Sequence, residues 1–399
     1  MKKKIPVSDL KFGMYVSELD RPWTDTPFVF QGFVLKSDDQ LETLRKFCQH
    51  VFVDEERYAS PDETLGVREV PAVRGINRVQ YVEKVSVDEE IPVARSTYVA
   101  IESTVTSAFE AIKGGEQLAA DELHGAAKNM TESIVRNPDA MMLFSALAER
   151  GGYFLNRALQ VSVYMISFAR FLGMEQADIE RAGMVGLLQD VGMLQVPDEV
   201  AQKSGPLSGD ERAFVNAHLE RTVNKLSETQ GLPAAITDLV ALHHERYDGS
   251  GYPQGLKGAA IDTIGAIAGI VDVFSALTSK RPYAEAIAPS NALGLLHKWR
   301  GQQFHPTLVE QFIRCIGIYP VGSVIELNTG EVAIVISQNP AKRLQPRIMV
   351  VRDAKGQNLR PQKLLDLSRS PKAGADLVYQ IRRTLEYGRA GVSHKDLIL

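Results

Sequence analysis

Two adjacent histidines, His243 and His244, open the stretch HHERYDGSGYPQGLKG. Gly249, Gly251, Pro253 and Gly255 exclude a regular helix there. Yet the stretch lies inside a long region, from about Val93 to Ile316, whose apolar residues otherwise recur every three or four positions. This confines the centre of the chain to one kind of object, a helical domain interrupted by a single polar, glycine-rich loop that carries two imidazoles.

The flanks read differently. Over the first 75 residues, LKFGMYVSEL, PFVFQGFVL and HVFVDEE have the β-branched and aromatic content of strands. Ser37 to Phe47 reads as a short helix with an acidic start. The result is a small α+β domain. A polar stretch near Val67–Ile91 has no period and reads as a linker, so residues 76–135 form a linker and helical connector. The helical domain takes 136–316. Within it, ADIERAGMVGLLQD is a helix ending near Asp190, and LSGDERAFVNAHLERTVNKL starts with a capping box, Ser208 with Glu211 three positions on. From Val321 to Val351 the period changes to two: VGSVIEL, EVAIVIS and RIMVVRD predict a small antiparallel β-meander within 317–399, followed from Pro361 by a polar, partly helical tail. The fold class is mainly α, with a small N-terminal α+β domain and a small C-terminal β-meander.

Composition excludes some functions. A net charge of −4 and a pI near 6.1 lack the basic excess of a general DNA binder. No segment approaches the ~20 uninterrupted apolar residues of a membrane span, and the basic start MKKKIPVSDL has no apolar core behind it. Cys48 and Cys315 are far apart, with no C-x-x-C pattern. The expected location is the cytoplasm.

The chemistry gathers around a few residues. His218 follows the apolar positions Phe214 and Val215, Asp190 ends an apolar helix, and Asp272 interrupts the run AIAGIVDVFSAL. A carboxylate buried among apolar residues needs a partner. Imidazoles and carboxylates together are ligands for divalent Zn, Mn or Fe. The other histidines (His50, His124, His297, His305 and His394) read as ordinary core or surface residues. By spacing alone, the set Asp190, His218, His243, His244 and Asp272 fits a metal site and a set of satisfied core residues equally well.

The string HHERYDGSGYP resembles the signature of the HD-GYP family, IVDVFSALTSKRPY resembles its downstream segment, and LLQDVGMLQVP resembles its HD segment. The resemblance runs from about Met141 to Val309, and the region before Tyr58 resembles the small domain that often precedes HD-GYP domains. It implies an HD-type helical domain holding two or three metal ions and hydrolysing cyclic di-GMP to pGpG or GMP. Carried over residue by residue, Asp190 is the bridging, catalytic carboxylate. His218, His243 and His244 ligate the second metal, and Asp272 ligates the first. Arg281 and Tyr252 are substrate contacts. Further partners implied are diguanylate cyclases docking through the GYP loop, and a second copy in a homodimer.

This chain departs from the pattern in one place. Gln189 stands for the HD histidine, Arg157 for the first-helix histidine, Met193 for a phosphate-contacting lysine, and Ser275 for a usual aspartate. The first-metal set is reduced to Asp190 and Asp272, so fewer ions are expected than in a full site. An arginine at position 157 puts a fixed cation where the two carboxylates need one. Three functions follow in order: a degenerate phosphodiesterase acting as nucleotide sensor or docking module; an active cyclic di-GMP phosphodiesterase with an altered site; an HD phosphohydrolase on another nucleotide.

Overall fold

The computed structural model describes residues 2–21, 33–35, 38–54, 73–147, 152–201, 203–279, 285–339, 341–374 and 377–385. The chain divides into two units, Met1–Ala72 and Val73–Leu399.

In the first unit, β1 (Lys2–Pro6), β2 (Tyr15–Leu19), β3 (Phe33–Val34) and β4 (His50–Asp54) form an antiparallel sheet in the order β1-β4-β2-β3, and α1 (Asp38–Phe47) joins β3 to β4. Strand alternation sends Val16, Leu19, Val51 and Val53 to one face, where they pack with Leu35 and Leu44 from the α1 side. The basic start is itself a strand, β1, paired with β4 from Lys2↔Asp54 to Pro6↔His50. Residues 27–32 of the expected strand PFVFQGFVL lie outside the described residues.

The second unit is mainly helical. Its helices are α2 (Val87–Lys113), α3 (Ala120–Arg136), α4 (Pro138–Leu147), α5 (Tyr153–Phe171), α6 (Gln176–Leu188), α7 (Asp198–Ala201), α8 (Gly209–Asn216), α9 (His218–Ser227), α10 (Ala234–Val240), α11 (Thr263–Thr278), α12 (Pro289–Trp299) and α13 (Pro306–Ile316). The core centres on α5, α6 and α11, which bury Leu159, Val163, Phe168, Val185, Ile267 and Phe274. Gly186 lets α6 lie directly on α5, since a Cβ there would fall 2.5 Å from the Ser162 Cα.

Three expectations are corrected here. The stretch read as a linker becomes α2 at Val87. Ser86 and Glu89 close a capping box, and residues 77–84 are pinned by hydrogen bonds from Asn77 N to Leu172 O (2.7 Å) and Lys84 N to Arg136 O (2.9 Å). Backbone pairing to distant residues leaves no hydrophobic period, so the segment read as unstructured. The Ser208–Glu211 capping box is present, but the helix it starts breaks at Ala217 and restarts as α9 at His218. The tail after Pro361 is not helical. It continues β8 (Asn358–Asp366), and after a short 3-10 turn β9 (Ile381–Thr384) returns to the sheet.

The C-terminal sheet adds β5 (Val324–Leu327), β6 (Val332–Ser337) and β7 (Arg347–Arg352), in the antiparallel order β8-β7-β6-β5-β9. The meander strands are the core ones. β8 and β9 form the edges, where polar residues face solvent and the period-two signal fades. Among the described residues no helix is long and apolar enough to cross a membrane.

Candidate metal and ligand site

The site forms where the ends of α6 and α10, the start of α9 and the middle of α11 meet α5. Asp190 sits in the turn after α6, between Gln189 and a 3-10 segment, Val191–Gln195, that carries the half-buried Met193. That turn is locked onto α9. Gly192 N–H donates to Thr222 Oγ1 (2.8 Å), and Thr222 Oγ1 donates to Gln189 O (3.4 Å). A Cβ at Gly192 would lie 2.1 Å from the His218 carbonyl oxygen. The break before α9 therefore puts His218 against the Asp190 turn. His243 and His244 follow α10, and α11 approaches them through Gly265 and Gly269. A Cβ would lie 2.5 Å from Leu242 at Gly265 and 3.0 Å from the His243 carbonyl oxygen at Gly269.

On one side stand three histidines, His218, His243 and His244, with ligand nitrogens all within 4.8 Å of one another. His218 Nδ1 donates to Val215 O (2.9 Å), and His243 Nδ1 donates to Val240 O (2.7 Å). Those bonds fix the tautomer that leaves Nε2 as an acceptor. His243 Nε2 is buried with no hydrogen-bond partner, 3.7 Å from Asp190 Oδ1; His218 Nε2 is 3.5 Å from the same oxygen and 3.2 Å from His244 Nε2. Burial pushes the pKa of His218 down against the pull of Asp190, and burial together with His243 pushes His244 down further. Neutral imidazoles with converging lone pairs suit a single divalent ion of the Zn, Mn or Fe class.

The other side holds a cation already, and it belongs to the protein. Arg157, on α5, donates from Nε to Asp190 Oδ2 (3.1 Å) and from Nη2 to Asp272 Oδ1 (2.5 Å). Gln189 Nε2 donates to the same Asp272 oxygen (3.1 Å). The three side chains are 10% (Arg157), 21% (Asp190) and 8% (Asp272) exposed, so solvent screens their attraction little. Burial opposes the Arg157 charge, yet Asp272 and Asp190 raise its pKa above the usual guanidinium range. Burial alone would raise Asp190, but Arg157, then His243 and His218, hold it well below the carboxylate range. A second metal does not fit where the guanidinium lies. The chemistry offered is thus asymmetric, a neutral nitrogen triad beside a closed ion triplet.

The glycine-rich loop folds back over the triad. Glu245, 4% exposed, accepts Gln254 N–H at one oxygen (2.7 Å) and Leu256 N–H at the other (2.9 Å). Tyr252 N–H donates to His244 O (3.2 Å), and the Tyr252 ring stacks on the His244 imidazole at 4.8 Å and 25°. Burial raises the Tyr252 hydroxyl to about 12, with Arg246 opposing. Gly251 is obligatory, because a Cβ would lie 2.3 Å from Arg246 N.

The structure therefore brings Asp190, His218, His243, His244, Asp272 and Tyr252 together, with Arg157 and Gln189 among them. Arg281 lies outside the described residues, as does His394. Ser275 donates to Gln160 Oε1 (2.9 Å), a helix-to-helix contact. His50, His124, His297 and His305 take no part in the triad. Burial, with Arg300, pushes His297 down to about 4. Sequence reading gave no role to Glu245, Thr222 or Gly192. The signal for Glu245 was an acid placed directly between a histidine pair and a run of backbone donors.

Residues 141–308 match the HD domain model, 2–123 match a domain of unknown function, and 324–373 match the KOW domain associated with HD domains. The chain is 30% identical over 374 residues to a cyclic di-GMP phosphodiesterase of Pseudomonas aeruginosa, covering 93% of this chain and 90% of that protein. It is 40% identical over 147 residues, 37% of this chain and 39% of the relative, to the cyclic di-GMP phosphodiesterase response regulator RpfG of Xanthomonas campestris pv. campestris. Among solved structures it is similar to an HDG"Y"P protein from Bdellovibrio bacteriovorus, at 14% identity and a TM-score of 0.47, covering 78% of this chain and 98% of that one.

Proposed function

The chain belongs to the HD-GYP family, and within it we propose a cyclic di-GMP-binding protein that has given up hydrolysis in exchange for a self-contained, one-ion site. The observation that carries this is the Arg157 guanidinium bonded at once to Asp190 and Asp272. A guanidinium neutralises carboxylates as a metal does, but it has no empty orbital to bind water and lower its pKa. Asp190, held ionised by that pairing, has its Oδ2 committed to Arg157.

His218, His243 and His244, with Asp190 Oδ1 alongside, would hold one divalent ion. When bound, that ion supplies Lewis-acid polarisation of a phosphoryl oxygen. With neutral imidazoles, Arg157, Asp190 and Asp272 sum to one net negative charge. A divalent ion at the triad turns the centre positive, the sign that attracts a phosphodiester. Tyr252, 38% exposed above the triad, offers a ring to a nucleobase.

The test is incubation of the purified chain with cyclic di-GMP and added Mn²⁺ or Fe²⁺, with products read by chromatography and binding by calorimetry. The expected result is binding without pGpG or GMP. Product that vanishes in Asp190→Ala would instead establish an enzyme with a rearranged site. The complete triad and the unpartnered His243 Nε2 are the features that favour this second reading.

A further inference from the structure

The three ligating histidines are not held alike. His218 and His243 each anchor Nδ1 on a backbone carbonyl, of Val215 and Val240. For His244 no such bond exists among the described residues. Its Nε2 faces His218 Nε2 at 3.2 Å, and its ring lies against one flat surface, Tyr252. Ligand orientation is usually set by a hydrogen bond from the far ring nitrogen. Here an aromatic stack stands in for it.

Tyr252 in turn is placed by a closed set of contacts. Glu245 clamps the loop on both sides of Pro253 through the Gln254 and Leu256 amides. Tyr252 N–H is tied to the carbonyl of His244 itself, and Gly251 packs without a side chain on Glu245 and Arg246. We propose that Tyr252, clamped by Glu245, is the positioning residue for His244, so that the glycine-rich loop sets the affinity of the triad for a divalent ion. This rests on the reading above that the triad holds an ion. The Tyr252 ring is also partly open to solvent, so whatever docks on it acts on His244, and by reciprocity the bound ion acts on that docking.

The experiment measures Mn²⁺ alone, by calorimetry and by competition with a chromogenic chelator, on the full chain. Tyr252→Ala is expected to weaken Mn²⁺ about tenfold, as loss of an orienting partner does elsewhere, while Tyr252→Phe stays within about twofold of the parent. Tyr252→Leu, which keeps apolar bulk without a flat ring, should follow Tyr252→Ala, and Glu245→Gln, which turns an amide NH₂ toward a backbone N–H, should weaken Mn²⁺ as well. Circular dichroism confirms that each variant is folded. Parent-like affinity in folded Tyr252→Ala and Tyr252→Leu overturns the inference and leaves the one-ion reading standing. A parent chain that binds no Mn²⁺ overturns both.

Discussion

At the scale of the residue, Arg157 matters because its charge is part of the chain. A metal equilibrates with the solution, but a guanidinium on α5 stays at fixed concentration beside Asp190 and Asp272. Removing one partner of a buried ion cluster leaves the others uncompensated, which is the expensive case. Arg157→Met should lower unfolding stability by about 3–5 kcal/mol, read by urea denaturation, and adding Asp272→Asn should recover part of it. An unchanged midpoint in Arg157→Met would mean that the pairing contributes nothing. Arg157→His combined with Gln189→His places two imidazoles beside the two carboxylates. The bound metal, read by elemental analysis, should then rise by one ion per chain; an unchanged count would sink the idea that Arg157 keeps that ion out. The possibility of this pairing was readable from the sequence, since an arginine stood where two buried acids needed a cation. Which nitrogens meet which oxygens was not, because Arg157, Asp190 and Asp272 are up to 115 positions apart and only packing brings them together.

At the scale of the element, the site depends on close approaches that single glycines permit. Gly192 is the sharpest case, with backbone and the Thr222 side chain filling the space a methyl group would need. Gly192→Ala should cost about 1–3 kcal/mol or more by overpacking, and it should weaken Mn²⁺ binding because it pushes the Asp190 turn off α9. Equal stability and equal metal affinity would show that the turn relaxes freely. The break between α8 and α9 belongs to the same scale. Its sequence, FVNAHLER, contains no proline or glycine and reads as one continuous helix. The tertiary contact of His218 with the Asp190 turn decides where the helix restarts.

At the scale of the whole second unit, the C-terminal sheet is fastened to the helices by a buried acid. Asp139, at the start of α4, accepts Gln338 N–H from the end of β6 (3.0 Å), and Arg347 pairs with Asp88 (2.9 Å) nearby. Burial, with Glu83 adding to it, raises the Asp139 pKa from 3.8 to about 7, against the Gln338 amide and Arg170. The folded chain therefore holds a proton that the unfolded chain releases. Between about pH 4 and pH 7 this acid makes stability fall as pH rises, by up to ~1.4 kcal/mol per unit. Above pH 7 the effect is complete. Asp139→Asn keeps an acceptor for Gln338 and should flatten that slope, so the variant should be the more stable one at pH 8 and not at pH 4. A slope that survives the substitution would assign the pH dependence to other groups.

The sequence by itself determined the helical centre, the paired strands on either side, and the residue types of the site. These follow from the spacing of apolar residues and from HHERYDGSGYP, both local properties of the chain. It did not determine the path of residues 77–84, the edge strands β8 and β9, or the clamp of Glu245 over the loop. Each of these is held by backbone hydrogen bonds or close contacts between distant residues, which leave no period behind. Only the tertiary structure decided that Arg157 lies between two carboxylates while three imidazoles stay open beside it. The sign and reach of a charge depend on how far it sits from its neighbours and from water, and those distances exist only once the helices have packed.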